Sequence, residues 1–342
     1  MKLFYYFFYF LFSYISLSFA YEYVYPIASL HNGEIILYIH QESPTNLKLF
    51  TWDTASNHKE QMLWSLFNPA GLLLLPDNSG FSFIDNGRLR IQHFQKRSPK
   101  TIDFDEPLFN INGLVWINEH MCYCSAQQSN NFALFQLSDD GLMQCLLAED
   151  GKDCMYPQKI NDCLFYIERS IIHDFPKTMH YKIMNYNEII FDFDGIPIIF
   201  LTMISSKEGF VIEHPQTIDT NDQAILFTYY HIIKQDNTWH KNYLFHFHIP
   251  TNLLLKSEQQ LYESLLPLLP RLIKDKIYFV DCSYNNDFFL EPYFYDLLTK
   301  TMKKIILPKK QGHYFVPLLC GERFYCGGTT FSQKEPFFYF LT

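Results

Sequence analysis

The sequence has little glycine, little proline and no excess of positive charge. Thirteen Gly and seventeen Pro in 342 residues exclude collagen-like and low-complexity chains. With 27 Lys and Arg against 36 Asp and Glu, the net charge is -9. Such a balance argues against a nucleic-acid partner, because phosphate binding needs a basic surface. After residue 20 no stretch approaches the length of an apolar membrane span, so we expect the remainder to be soluble.

Strings that commonly mark catalytic or cofactor sites are also missing. The sequence contains no GxSxG, GxxxxGK[ST], GxGxxG or HExxH segment and no repeated CxxC pattern. An enzyme stays open as an alternative, because an active site can assemble from residues far apart in sequence. We expect a non-enzymatic protein without a cofactor, and a hydrolase or lyase acting on glycans or peptides is the alternative.

The first twenty residues form a targeting segment. An uncharged run from Leu3 to Ala20 ends in Ser18-Phe19-Ala20, with small residues at the two positions that a signal peptidase recognises. We therefore expect a signal peptide over 1–20, cleavage before Tyr21, and a secreted or periplasmic protein. The alternative is an uncleaved anchor, since about 18 apolar residues are the lower limit for crossing a bilayer. A membrane partner, and a role as a membrane-anchored envelope assembly factor, are expected only in that case.

Aromatic residues are the most abundant feature of the chain. Its 34 Phe, 24 Tyr and 4 Trp favour strands over helices. Hydrophobic residues make up 48% of the sequence, which supplies a large packed core and excludes intrinsic disorder.

Two kinds of short segment repeat along the chain in step. The first is an acidic residue in a polar turn before an apolar run, at Glu34, Asp77, Glu119, Asp162, Asp222, Asp275 and Glu322. The second is an apolar, often aromatic strand that starts at Leu47, Leu89, Phe132, Tyr181, Tyr243, Tyr293 and Phe337. Successive starts are 42 to 62 residues apart in the two series, which is typical of a repeat architecture.

Each unit holds four short antiparallel strands joined by polar turns, with no helical pattern between them. The acidic turn precedes the second strand of a unit, and the aromatic segment is the third. This predicts an all-β chain, a seven-bladed β-propeller over 21–342, with six blades as the alternative. The seventh unit ends after its third strand, so we expect Glu22–Tyr25 to pair antiparallel with 337–341 and close the last blade.

The segment HNGEIILYIHQESPTNLKLFTWD from His31 to Asp53 resembles the repeats of TolB-like propellers. The dipeptide Trp52-Asp53 also occurs in WD40-like propellers. The resemblance implies the propeller fold and no particular activity, because a fold does not determine a function.

Long loops indicate where a propeller of this kind binds a partner. The units lengthen from the fourth to the sixth, and the extra residues fall in 170–179, 195–209, 234–242, 257–269 and 283–291. Long loops on one rim of a rigid scaffold are where binding residues concentrate. Neutral insertion is the alternative. The predicted binding residues combine aromatic side chains, expected to be exposed, with polar ones, as interfaces do: Asp174, Phe175, Trp239, His240, Asn285, Asn286, Phe288 and Phe289. We therefore expect a binding or scaffold module whose partner is another protein or an extracellular or envelope ligand.

A weaker hypothesis concerns a metal. His246 and His248 lie two apart on one strand face and could ligate an ion with His231 or His240 as a third ligand. A polar patch on a packed blade is the alternative interpretation.

The eight cysteines allow two interpretations. Cys163, Cys282 and Cys326 occupy equivalent strands, where cysteine acts as a small hydrophobic residue. Export makes disulfides possible, with Cys145, Cys154 and Cys320 as candidate members.

Overall fold

The structure is a computed structural model of the chain. It describes residues 23–30, 35–43, 46–53, 59–67, 70–94, 96, 98–128, 130–172, 178–186, 188–193, 196–214, 224–251, 268–282, 289–307, 312–320, 323–330 and 336–341. The predicted signal segment lies outside these residues. Among them no helix is long and apolar enough to cross a bilayer.

The described residues form 28 strands, which we group in chain order as sheets 1 to 7. Sheets 1 to 3 contain β1 (Tyr23–Leu30), β2 (Ile35–Ser43), β3 (Asn46–Asp53), β4 (Lys59–Phe67), β5 (Ala70–Leu74), β6 (Gly80–Asp85), β7 (Arg88–His93), β8 (Lys100–Ile102), β9 (Leu114–Trp116), β10 (Met121–Gln128), β11 (Asn131–Ser138) and β12 (Met143–Leu147). Sheets 4 and 5 contain β13 (Lys152–Ile160), β14 (Cys163–Ile172), β15 (Thr178–Asn185), β16 (Glu188–Asp192), β17 (Ile198–Ser205), β18 (Glu208–Glu213), β19 (Ala224–Gln235) and β20 (Thr238–Pro250). Sheets 6 and 7 contain β21 (Arg271–Ile273), β22 (Lys276–Asp281), β23 (Glu291–Asp296), β24 (Thr301–Lys304), β25 (Gly312–Tyr314), β26 (Leu318–Cys320), β27 (Arg323–Thr330) and β28 (Pro336–Leu341).

Each of sheets 1 to 6 is an antiparallel meander in which neighbours in sequence pair. Sheets 1 to 6 each have four strands side by side. In sheet 7, β25 and β26 both pair with β27, and β28 pairs with β27 as well. Because β25 and β26 share one edge of β27, the described part of sheet 7 is three strands across. The described strands therefore give six complete four-stranded units, the number in the alternative prediction, and a narrower seventh sheet. The prediction of seven blades is not confirmed.

The acidic turns fall where the repeat predicts them in four sheets. Asp77, Glu119, Asp162 and Asp275 stand within three residues before β6, β10, β14 and β22. Other turns use residues that tolerate positive φ: Asn86 and Gly87 have φ of 50° and 77° between β6 and β7. Two such residues form the tight turn that matches the twist of a hairpin. The turn chemistry of the sequence therefore sets the strand boundaries here.

Sheet 5 departs from the prediction. The sequence placed Asp222 before the second strand and Tyr243 in the third, but these residues precede β19 and lie in β20, the third and fourth strands. The turn before the second strand is instead at Lys207, directly before β18. The predicted loop 195–209 therefore contains β17, and most of the predicted loop 234–242 is strand. Asp236 and Asn237, with φ of 49° and 62°, close β19 and β20 into a tight hairpin.

The predicted closure by the N-terminal strand is wrong for the residues described. Tyr23, Val24 and Tyr25 belong to β1 and pair with β2, not with β28. The strand that contains these three residues continues through Leu30 and has eight residues. A short connection to β2 costs much less loop-closure entropy than pairing with the far end of the chain, so the local hairpin forms.

The chain divides into two compact units. One unit comprises 1–68, 270–278 and 291–342, and the other comprises 69–269 and 279–290. In the first, Ile36 and Trp52 of sheet 1 pack against Leu318 and Tyr325 of sheet 7. In the second, apolar clusters join sheets 2 and 3, sheets 3 and 4, and sheets 4 and 5. The prediction of a single domain over 21–342 stays a prediction.

Buried polar side chains in the second unit connect neighbouring sheets. Asp153 on β13 accepts a hydrogen bond from the Phe132 backbone N–H of sheet 3 at 2.8 Å and pairs with Arg169 at 2.8 Å. Gln158 accepts from the Met203 backbone N–H at 2.7 Å and also donates to a backbone carbonyl of sheet 5. Ser82 accepts from the Trp116 indole N–H at 2.8 Å. We call Ser82, Asp153, Gln158 and Asp281, described below, the bridging residues.

The seven cysteines whose side chains are described are free thiols. The disulfide expectation is therefore wrong for Cys145 and Cys154, while the Cys320 side chain lies outside the described residues. Burial raises the pKa of Cys122, Cys154 and Cys282 to about 12. These thiols stay protonated and act as small apolar side chains, as predicted for Cys282.

Replacing Asp153 tests how much one bridging residue contributes to the free energy of unfolding. We expect Asp153→Ala to lower the free energy of unfolding by about 3 kcal/mol, because it removes the carboxylate that pairs with half-buried Arg169 and leaves the buried Phe132 backbone N–H without its acceptor. The measurement is urea unfolding followed by tryptophan fluorescence. Asp103→Ala is the matched control, since the Arg88–Asp103 pair at 2.9 Å is more than half exposed and contributes about 0.5 kcal/mol. Equal losses in the two variants would contradict a bridging role.

Candidate interaction surface

The strands β19 and β20 form the longest hairpin of the described residues. One face of this hairpin packs against sheet 4 at one end and extends past that contact at the other. Ile232 on this face belongs to the apolar cluster that joins sheets 4 and 5. Alternate residues of a strand share a face, so Thr228 and Leu226 continue the same face past that cluster. Their partners in β20 are His246 and His248. The face therefore changes along its length from packed to solvent-exposed.

A partly buried ion pair marks the boundary between the two parts. Lys241 Nζ lies 2.5 Å from Glu213 Oε1 and 4.8 Å and 4.4 Å from the ring centres of Phe193 and Tyr230. Burial, then the charge and hydrogen bond of Glu213, raise the pKa of Tyr230 to about 12. The phenol therefore stays neutral and donates its hydrogen bond to the carboxylate. Glu213 is 7% exposed, so these contacts are well shielded from solvent and fix the position of β20.

Beyond this boundary lies an exposed aromatic surface. Tyr243 is 54% exposed and Leu226 is 39% exposed. The His246 ring stands 4.8 Å from the Tyr243 ring, and its Nδ1 is 3.2 Å from Thr228 Oγ1. We call Leu226, Thr228, Tyr243 and His246 the Tyr243 surface. It offers a partner one exposed phenol, one imidazole and an aliphatic side chain on a rigid sheet.

Trp239, predicted to be exposed, is half-buried near the turn of the hairpin. Its ring meets Phe191 edge to face at 6.3 Å, and Lys234 Nζ lies 5.9 Å from the ring centre. The indole N–H is buried and has no hydrogen-bond partner among the described residues. Trp239 therefore belongs to the packing of sheet 5 on sheet 4. His240, the next residue, is exposed and points to the opposite face.

The other predicted binding residues are only partly described. Phe289 is half-buried just before β23. Five residues lie outside the described ranges: Asp174, Phe175, Asn285, Asn286 and Phe288. Their role stays a prediction.

The side chains of the predicted metal ligands contact different partners. His246 bonds Thr228, as given above, while His248 Nδ1 lies 3.4 Å from Asp281 Oδ1. Asp281, which is 1% exposed, also accepts from the His248 backbone N–H at 3.0 Å. His231 is held by Glu208 at 2.8 Å and stacks on Phe210. In the described part of the chain no group of three metal-ligating side chains converges.

A serine, a histidine and an aspartate meet in sheet 2. Ser79 Oγ lies 3.0 Å from His93 Nδ1, and Asp77 accepts from the Ser79 backbone N–H at 2.9 Å. The Ser79 hydrogen bonds are the main cause that lowers the pKa of Asp77. In a nucleophilic triad the carboxylate orients the imidazole, whereas here it bonds the serine. These three residues therefore have the composition of a catalytic triad, but the carboxylate bonds the serine instead of the histidine.

Sequence reasoning missed the Tyr243 surface. Tyr243 was assigned to an interior strand because its segment matched the aromatic column of the repeat. One β-bulge at Leu244, where the register passes from Phe245 to Tyr243, puts Tyr243 and His246 on the same face. A bulge has no strict sequence pattern, so this face could not be assigned from alternation alone.

Comparison with known proteins identifies the fold. No protein-family model matches the sequence, and no curated protein matches it either. The β-propeller domain of the Trilobed protease from Pyrococcus furiosus, described as having an open velcro topology, is similar with a TM-score of 0.58 at 10% identity, over 94% of this chain and 95% of that one. A puromycin-hydrolyzing peptidase from Mycobacterium tuberculosis has a TM-score of 0.58 at 11% identity over 92% of this chain. This chain spans about half of that peptidase, 52% of its length.

These likenesses show the fold alone, since identity near 10% carries no activity. The chain is an all-β propeller with four-stranded antiparallel blades, as its sequence pattern predicted. TolB from Acinetobacter baumannii is also similar, with a TM-score of 0.45 at 11% identity over 84% of this chain and 65% of that one.

Two substitutions separate the packed end of the hairpin from the exposed one. We expect Trp239→Ala to lower the free energy of unfolding by about 2 kcal/mol, because its ring fills part of an apolar cluster. Tyr243→Ala should change it by less than about 0.5 kcal/mol, as exposed positions do. Urea unfolding of the two variants measures both values. If both variants unfold like the unsubstituted chain, Trp239 is not part of the packing.

Proposed function

We propose that this protein is an exported β-propeller that binds another protein through the Tyr243 surface. The observation that carries the proposal is a tyrosine 54% exposed in the middle of a 13-residue strand. Tyrosine is enriched where partners bind, because it offers a large contact area with little loss of conformational entropy.

The contacts that anchor the strand beneath the Tyr243 surface favour a binding function. Lys241 is fixed by Glu213 on one side of Tyr243, and His248 by Asp281 on the other. The strand that carries Tyr243 and His246 is thus anchored at both ends. A surface that is already ordered loses little entropy when a partner docks.

The hydrolase alternative is less well supported. The peptidase likeness concerns the fold, and the Ser79 group has the carboxylate on the wrong partner. No described observation favours the lyase. Binding is therefore the function on which we base the experiments.

Substitution of the surface tests the proposal. The chain is immobilised and incubated with an extract of the cells that produce it, and retained proteins are quantified by mass spectrometry. We expect Tyr243→Ser with His246→Ser to reduce retention of a specific protein about thirty-fold, the effect of losing a central interface residue.

The matched control is Leu142→Ser with Gln144→Ser, two exposed positions of sheet 3. The control should retain the partner like the unsubstituted chain. Retention that survives the Tyr243 and His246 substitutions, with the fold intact by circular dichroism, would place the binding site elsewhere.

Export is the second part of the proposal and rests on the uncharged run from Leu3 to Ala20. We expect the protein recovered outside the cytoplasm to begin at Tyr21, because a signal peptidase cuts after small residues such as Ala20. Cell fractionation with N-terminal sequencing measures this. Recovery of the chain in the cytoplasm with Met1 retained would contradict it.

A further inference from the structure

The two most exposed large apolar side chains of the described residues flank one short strand. Leu298 is 77% exposed and Ile306 is 88% exposed. Between them lies β24, the outer strand of sheet 6, with exposed Lys303 and Lys304. Lys300, also exposed, precedes it. Both positions therefore belong to one edge of the sheet.

The backbone holds both apolar residues in place. Asp296 Oδ1 accepts from the Leu298 and Thr299 backbone N–H groups at 3.0 Å and 2.9 Å, which fixes the turn before β24. After the strand, the Ile305 backbone N–H donates to the Pro292 carbonyl at 2.9 Å. Leu298 and Ile306 are thus presented to solvent by ordered backbone on either side of the lysines.

Two of the lysines on this edge have no carboxylate partner among the described residues. In sheet 2, Arg88 and Arg90 each face a carboxylate, at 2.9 Å and 3.2 Å. Lys304 is also paired, with Glu291 at 2.5 Å. Among the described residues, Lys300 and Lys303 have no such partner. Their positive charge therefore stays available to a ligand.

A further cation lies on the face that carries Lys303. Lys303 is opposite Phe294 in the register, and Lys276 Nζ lies 4.8 Å from the Phe294 ring centre. Residues opposite each other share a face, so Lys276 and Lys303 project on the same side. In the sequence, 300–310 contain five lysines and no acidic residue. This segment of the sequence is thus locally positive in a chain of net charge -9.

We propose that the outer edge of sheet 6, formed by Leu298, Lys300, Lys303 and Ile306, docks on a membrane surface that contains anionic lipids. Lysines bind lipid headgroups while the adjacent aliphatic side chains enter the boundary between headgroups and acyl chains. An acidic protein would use the charges but would not require two aliphatic side chains almost wholly in solvent. The proposal depends neither on the Tyr243 surface nor on the N-terminal segment.

Vesicle cosedimentation of the full chain tests the proposal. One set of vesicles is phosphatidylcholine alone, and in the other a third of the lipid is phosphatidylglycerol. We expect binding to the anionic set above any binding to the neutral set, and loss of the excess in molar salt. An apolar N-terminal segment would bind both sets alike, so the difference between the sets reports the lysine edge.

Two double variants examine the charged and apolar parts separately. Lys300→Gln with Lys303→Gln should reduce binding to anionic vesicles roughly thirty-fold, from the contribution of each lysine near a charged surface. Leu298→Ser with Ile306→Ser should reduce it by at least about tenfold, through lost apolar burial. Leu142→Ser with Lys207→Gln, exposed residues of sheets 3 and 5, is the matched control and should bind within twofold of the unsubstituted chain.

Three results would overturn the proposal. One is equal binding to neutral and anionic vesicles, and another is a control variant that loses as much as the lysine variant. The third is no binding to either set, which would leave an acidic protein as the occupant of this edge. None of these results bears on capture by the Tyr243 surface, because the two surfaces share no residue.

Discussion

Hydrogen bonds from buried polar side chains to the backbone of the neighbouring sheet fix how these blades align. Aromatic faces alone do not: Phe245 stacks on Phe279 at 4.3 Å, but apolar burial is non-directional and tolerates sliding. Asp153 and Gln158 each bond a particular backbone group of the next or preceding sheet. A buried polar group left without its partner costs on the order of 1–3 kcal/mol. The bridging residues therefore select one alignment among many that bury similar area.

Buried carboxylates also support the candidate surface. Glu213 holds Lys241, and Asp281 holds the backbone of His248, so Tyr243 and His246 lie on a stretch of β20 fixed at both ends. The Cys282 backbone N–H adds a hydrogen bond to the His248 carbonyl at 3.2 Å. Exposed side chains on such a strand keep their spacing in the absence of a partner. This is the physical difference between a binding surface and an exposed loop.

The sequence predicts the strand content and the repeat because both are local. Acidic turns and alternation determine β6, β10, β14 and β22 correctly. The errors arise where two segments carry the same local pattern. A segment with alternating aromatic residues, such as Tyr23–Tyr25, can pair with more than one apolar strand edge. It pairs with β2 because β2 follows it closely in the chain. Trp239 was placed in solvent because composition near a turn does not reveal that sheet 4 covers it, and a single bulge at Leu244 set the direction of Tyr243.

Lysines on an outer strand also have a structural explanation, because charged residues prevent edge strands from pairing with other chains. That explanation accounts for Lys303 and Lys304 in β24, but it does not extend to the flanking residues. A protected edge gains nothing from Leu298 at 77% exposure or Ile306 at 88%, since both increase the risk of association that the lysines reduce. Cationic and aliphatic side chains combined on fixed backbone suit an anionic lipid surface, where each type lowers the free energy of binding.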